Sequence, residues 1–125
     1  YCVIDYGAKE EDVYIKGVFH TVNPIANDYY PIYKQNSRSY SLLHTLHFDD
    51  VIYMEVGAMI VGKIVNHSLD SFCRGDEKGY FEFGGSTIVV LLKKDIVEID
   101  EDIVSHSLHH DETSVLMGEK IGMKK

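Results

Sequence analysis

The sequence predicts a mainly β domain, a compact barrel or sandwich-hybrid with few short helices. Tyr, Val and Ile are abundant and Trp is absent, and aromatic and β-branched residues suit the half-buried surface of a strand. Turn signals recur at intervals of about eight to fifteen residues, the rhythm of short strands. No segment carries a sustained apolar stripe at helical spacing. At 125 residues the chain is long enough for one core and short for two, so residues 1–125 read as a single domain.

Residues 12–18 read as a strand leading into a loop at 19–24. Residues 25–36 are tyrosine-rich and irregular, a short helical turn plus loop, and Pro31 argues against a central strand there. Residues 38–48 and 51–56 read as two strands joined at Asp49-Asp50. In the first of these, Tyr40, Leu42, His44 and Leu46 alternate onto one face. Residues 59–66 read as a further strand, set off by Gly57 and containing Gly62, where a bulge or close backbone approach is expected. A polar loop follows at 68–78. Strands at 79–83 and 87–93 are expected to pair with each other across Gly84-Gly85-Ser86, and 95–99 forms a short strand or edge. Beyond Asp100 the polarity rises toward a basic tail at 120–125.

A hydrophobic fraction of 45% and a charged fraction of 26% are those of a folded globular protein. The net charge of −8 excludes nucleic acid as a partner, because phosphate neutralisation needs a basic face. It equally opposes simple electrostatic adhesion to anionic lipid. Membrane contact would have to come from apolar residues or from further chain. The most apolar stretch, residues 56–65, is too short to span a bilayer and is interrupted by Gly57, Gly62 and Lys63. Cys2 and Cys73 fit neither a zinc spacing nor a disulfide scaffold and read as free thiols in a reducing compartment. Tyr1 stands where a Met would begin a chain, so the sequence is expected to be a fragment or processed product with a region missing upstream.

The stretch Phe81-Glu82-Phe83-Gly84-Gly85-Ser86-Thr87 admits two readings. Glycines between strands permit positive φ and make turns. A serine following glycine can also attack the preceding carbonyl with its hydroxyl, converting the Gly85-Ser86 amide to an ester. That chemistry needs an accessible amide, a base near Ser86 and donors for the oxyanion. Elimination and hydrolysis would leave a pyruvoyl group at residue 86, an electron sink comparable to pyridoxal phosphate.

Several blocks bear on the choice. Gly84-Gly85-Ser86-Thr87, preceded by Gly79-Tyr80-Phe81-Glu82-Phe83, resembles the self-cleavage motif of phosphatidylserine decarboxylases. Residues 17–26, Asn36-Ser37-Arg38, residues 56–64 and residues 74–79 resemble further blocks of that family, in its order and over almost all of the chain. The resemblance implies cleavage between Gly85 and Ser86 into a β chain, residues 1–85, and an α chain, residues 86–125. It implies a pyruvoyl cofactor made from Ser86, which forms a Schiff base with the serine headgroup and drives decarboxylation of phosphatidylserine to phosphatidylethanolamine. The implied partners are a phospholipid substrate, a membrane surface, the protein's own two chains and, alternatively, a second copy in a homodimer. The implied place is cytoplasmic, peripheral on the inner face of the cell membrane. His20 and Asn23, within the block at 17–26, become candidates for substrate binding. The family's Asp and the first histidine of its Tyr-His-Arg-x-His segment would lie before Tyr1, and Cys2 occupies the place of the second histidine. A thiol is a poorer base than imidazole unless its pKa is perturbed.

Other readings are kept beside this one. A related pyruvoyl enzyme would act on another amino-lipid or an amino acid. A non-catalytic β-module would stay uncleaved, and as a carrier would offer Lys63 as its modified lysine. His106, His110 and Asp111 suggest a metal only if a helix runs through them, and no His-Glu-x-x-His order accompanies them. No metal is therefore expected. Phe19, Tyr29, Tyr30 and Tyr33 form either an apolar lip for lipid or ordinary packing. His44 and His47 read as strand residues.

Overall fold

A computed structural model of the chain describes residues 6–59, 63–83 and 86–125. Among the described residues ten strands and two α-helices follow in the order β1 (Gly7–Lys9), β2 (Val13–Ile15), α1 (Ile32–Gln35), β3 (Arg38–Thr45), β4 (Asp49–Val56), β5 (Lys63–Asn66), β6 (Ser71–Phe72), β7 (Gly79–Glu82), β8 (Thr87–Leu91), β9 (Val97–Ile99), α2 (Glu101–Leu108) and β10 (Gly122–Lys124), with a 3-10 turn at Pro24–Asp28 before α1. The main sheet has the order β6-β1-β3-β4-β8, and β2 also pairs with β3. Two ribbons stand apart from it, β5 with β7 and β9 with β10. The β-dominated class is as the composition predicts. Of its two forms the barrel is not realised, since the described strands do not close on themselves.

Register explains where the core lies. Leu43 faces Val51, Ser41 faces Tyr53 and Ser39 faces Glu55, while Tyr53 and Glu55 face Val90 and Ile88 across the other edge of β4. Paired residues share a side of the sheet. That side carries the buried cluster of Leu43, Val51 and Tyr53, with Phe48, Phe72 and Val90 packed against it. At the far end of β4, Ile32, Val56, Asn36 and Ser37 are buried where the segment between β2 and β3 folds over the sheet.

Several expectations change. Residues 79–83 and 87–93 were expected to pair with each other, but β7 pairs with β5 and β8 with β4. β7 and β8 therefore belong to different sheets and do not form a hairpin. The β3–β4 connection is Leu46-His47-Phe48, not Asp49-Asp50. Thr45 Oγ1 accepts from Phe48 N (2.9 Å) and donates to Asp49 O (2.8 Å), closing the loop early, and Asp49 takes the left-handed conformation at φ 56°. The strand expected over 12–18 shrinks to Val13–Ile15, because β3 offers it three partners only. The one over 59–66 is described as a strand only from Lys63, and residues 60–62 lie outside the described residues. Helix α2 was not foreseen. Glu101 and Asp102 occupy its first turn, where carboxylates suit the helix dipole, yet none of its residues is buried and no apolar stripe announces it.

Candidate functional site

Ser86 begins the approach to β8 and is half-buried, with its Oγ hydrogen-bonded to the carbonyl of Val56. Val56 ends β4, and the residue after it, Gly57, is held from two sides. Its N–H donates to Ser37 O (2.8 Å), and its carbonyl accepts from Asn36 Nδ2 (2.7 Å). A side chain at Gly57 would press on Ser37 O at 3.0 Å and on Phe19 Cε1 at 3.2 Å. A side chain there would force these neighbours to give by a few tenths of an ångström.

Asn36 organises this corner. It is fully buried, and its carboxamide bridges Gly57 and His20: Nδ2 also donates to His20 O (2.9 Å) and Oδ1 accepts from His20 N (3.0 Å). Ser37 Oγ accepts from Gly17 N (2.8 Å) and donates to Gly17 O (3.0 Å), and a Cβ on Gly17 would overlap the carbonyl of Gln35. The chain from 17 to 20 is thus stitched along 35–37 by neutral, satisfied hydrogen bonds, the arrangement that buried polar groups need. Arg38 Nη1 donates to Lys34 O (2.9 Å) and Asn36 O (3.1 Å), a cation on the carbonyls at the end of α1.

The Asn36 carboxamide links the His20 backbone to Gly57, next to the carbonyl that receives Ser86 Oγ, while the His20 ring stacks on Tyr30 at 4.7 Å between centroids. Asn23 is not linked in this way. The Asn23 carboxamide accepts from Ile25 N (3.2 Å) and caps the 3-10 turn. Gly85 and Cys2 lie outside the described residues. Tyr6, the first described residue, accepts from Leu46 N (3.2 Å) at the β3–β4 turn. The eight residues of β4 separate that turn from Val56, roughly 24 Å at the rise of an antiparallel strand.

Of the other candidates, Lys63 is the first residue of β5, paired with Glu82 at 3.5 Å across the ribbon rather than displayed at a tip. Helix α2 ends at Leu108 and His110 is left-handed (φ 63°), so His106 and His110 share no helical face. Among the described residues no three of His, Cys, Asp and Glu gather as a metal site would need. The exposed Cys73 is a free thiol. His44 is exposed and lies between Asp50 (2.7 Å) and Glu10 (3.0 Å), and its hydrogen bonds to these two carboxylates raise its pKa.

Sequence reasoning missed two residues. Glu55, on the inward face of β4, is buried, and Lys78, just before β7, reaches it. Lys78 Nζ also donates to Asp12 Oδ1 (2.9 Å) and Asn66 Oδ1 (3.0 Å), and Lys9 holds Asp12 Oδ2 (2.8 Å). Burial raises the Glu55 pKa against the opposing pull of Lys78. Burial pushes Asp12 up as well, but the bonds from Lys9 and Lys78 outweigh it and leave Asp12 below its usual value. The period of two had signalled Glu55, which falls in step with Val51 and Tyr53.

Comparison with known proteins decides the family. Residues 1–123 match the family described as phosphatidylserine decarboxylase. The chain belongs to the phosphatidylserine decarboxylase family. It is 52% identical to phosphatidylserine decarboxylase proenzyme 2 of Clostridium acetobutylicum over 98% of its own length. Identity is 46% to the phosphatidylserine decarboxylase proenzyme of Clostridium botulinum and 48% to that of Clostridium novyi, over 98% and 97% of the chain. The chain spans 42% of the length of each of these relatives. No solved structure matches it.

Proposed function

We propose that this segment carries the self-cleavage site and part of the substrate pocket of a pyruvoyl-dependent decarboxylase that converts phosphatidylserine to phosphatidylethanolamine. One observation carries the reading: the bond between Gly85 and Ser86 falls where the chain passes from the β5–β7 ribbon to the main sheet. A break there severs no ladder, because β7 remains paired to β5 and β8 to β4. Cleavage and a persisting fold are compatible at this position, whereas a cut inside a strand would forfeit several backbone hydrogen bonds.

In the proposed sequence Ser86 Oγ attacks the Gly85 carbonyl carbon, the C–N bond breaks, and an ester replaces the amide while the nitrogen takes a proton. Loss of the ester by elimination frees the Gly85 carboxylate. Water then replaces the nitrogen, which leaves as ammonia, and residue 86 becomes a pyruvoyl group at the head of residues 86–125. The Val56 carbonyl, as acceptor for Ser86 Oγ, orients the hydroxyl before attack. The peptide that carries this carbonyl is held through Gly57 N–H by Ser37 O, and Asn36 clasps the next carbonyl, Gly57 O. Once formed, the group supplies an electrophilic carbonyl that takes up electrons from a substrate amine's α-carbon. In this reading His20, tied by its backbone to Asn36, contacts the headgroup, and Asn23 supports it by capping the turn that follows.

The membrane reading rests on apolar side chains. Phe83 (83% exposed) follows β7 directly, Met59 (66% exposed) lies between β4 and β5, and Phe19, Ile25, Tyr29 and Tyr30 are exposed between β2 and α1. With a net charge of −8, adhesion by such a lip, peripheral on the inner face of the membrane, relies on apolar contact rather than on attraction to anionic lipid. The test offers the proenzyme vesicles containing phosphatidylserine and, separately, free serine. Carbon dioxide release and phosphatidylethanolamine are expected from the vesicles alone, and a preference for free serine would move the reading to a related amino-acid decarboxylase.

A further inference from the structure

Gly85 and Ser86 come to their shared bond from two differently anchored pieces of chain. Ser86 leads into β8, which is paired to β4 in the main sheet, and its Oγ sits on the Val56 carbonyl. Gly85 comes from β7, with only Phe83 and Gly84 between them. β7 is paired to β5, and among the described residues this ribbon shares no strand pairing with the main sheet. Attack by a neighbouring hydroxyl needs the carbonyl carbon held about 3–3.5 Å away. The ribbon must therefore be seated on the sheet by something other than a β-ladder.

Lys78 supplies that seat. It stands immediately before β7, and the three N–H donors of its ammonium go to three separate elements. One bonds Glu55 Oε1 on β4, one Asn66 Oδ1 at the end of β5 (3.0 Å) and one Asp12 Oδ1 ahead of β2 (2.9 Å). Asn66 in turn donates to Ser39 Oγ on β3 (3.1 Å), and Ser39 is the register partner of Glu55. The Glu55 and Lys78 side chains are only 8% and 16% exposed, so water competes little for these bonds. Charge-assisted hydrogen bonds of this kind fix direction as well as distance. The tie meets β4 at the residue directly before Val56, whose carbonyl receives Ser86 Oγ.

We propose that Lys78 and Glu55 are positioning residues for self-cleavage. Neither touches the reacting atoms. Together they seat the β5–β7 ribbon on β4 so that the Gly85 carbonyl carbon is delivered to Ser86 Oγ. The inference rests on the proposed cut between Gly85 and Ser86.

The experiment uses the Clostridium acetobutylicum proenzyme with its matching segment replaced by residues 1–125. Cleavage is followed on denaturing gels during cell-free synthesis, and stability is read as the unfolding midpoint of each variant in an uncleavable Ser86→Ala background. Lys78→Met should slow cleavage at least about tenfold at a temperature where its Ser86→Ala counterpart is folded, since a misplacement of about 1 Å can cost roughly a hundredfold. Lys78→Met combined with Glu55→Leu should regain the midpoint but stay slow, because two apolar side chains pack without fixing a direction. Val51→Ala, in the core near the other end of β4, should lower the midpoint and still cut at the wild-type rate. A folded Lys78→Met protein cut at the wild-type rate overturns the inference. So does a double variant whose cleavage recovers together with its midpoint, or a Val51→Ala variant slowed as much as Lys78→Met, since either means that stability alone sets the rate. A wild type that is never cut overturns the cleavage reading and this inference with it, whereas a cut wild type beside an equally cut Lys78 variant overturns this inference alone.

Discussion

Asn36 and Glu55 are both buried polar residues beside the end of β4, and they are built in opposite ways. Asn36 is neutral, and its carboxamide is fully engaged by three backbone groups, so it acts as a fixed rivet between His20 and Gly57. Glu55 is a carboxyl with one oxygen on Lys78 and the other buried with no hydrogen-bond partner among the described residues. A satisfied neutral group can only hold its neighbours in place. A buried charged group held from one side depends on its counter-ion. The first arrangement suits a backbone that must present Ser86 Oγ at one carbonyl; the second ties β4 to the segment before β7.

Removing a partner should separate the two designs. The largest effect is expected at the charged one. Lys78→Met leaves Glu55 without a counter-ion and should lower unfolding free energy by about 4 kcal/mol, the usual result of breaking a buried pair from one side. Adding Glu55→Leu should restore most of that loss in the same denaturant titration, because an apolar pair of similar volume replaces an ion pair at little cost. No recovery in the double variant would show that Lys78 acts through Asp12 and Asn66 instead.

The neutral design should answer differently. Asn36→Ala strips partners from Gly57 O and from both backbone groups of His20, an expected loss of about 3 kcal/mol. Here no single second substitution can compensate, since three backbone groups are orphaned together. Cleavage at Ser86 should slow in this variant even at temperatures where it stays folded. Unchanged cleavage would mean that the Val56-Gly57 segment needs no clasp.

The smallest expected effect lies at the exposed edge. His44 gains its raised pKa first from the Asp50 hydrogen bond and then from Glu10. A raised folded value means that this contribution is fully present below the reference value of 6.5 and is lost as pH rises through the folded value. The melting temperature should therefore decline slightly on going from mildly acidic to mildly alkaline buffer, and His44→Gln should flatten that slope. The pairs are exposed, so salt should blunt the decline.

Much of this was legible in the residues. The β class followed from Tyr, Val and Ile in short runs; the alternation along 38–46 put Tyr40, Leu42 and His44 on one face of β3, but Leu46 lies beyond the strand and the buried face is that of Ser39, Ser41 and Leu43. The pairing of β7 and β8 was misjudged because glycine marks both a hairpin and a crossing, and only the partners, β5 and β4, tell them apart. Helix α2 stayed hidden because an exposed helix has no face to pattern. At the site, Ser86 stood out by its neighbours in sequence. The role of Asn36 did not, because its partners Gly57 and His20 lie 21 and 16 residues away and meet it only through the fold.

The central claim is that the crossing between the two sheets is where this chain is cut. Intact-mass measurement under denaturing conditions tests it most directly. Residues 1–125 would replace the matching segment of the Clostridium acetobutylicum proenzyme, in wild-type form and as Ser86→Ala. The wild type should separate into two polypeptides parted between Gly85 and Ser86, the second with a blocked N-terminus, and Ser86→Ala should remain one chain. An uncut wild type, or a Ser86→Ala variant cut at the same bond, would contradict the account.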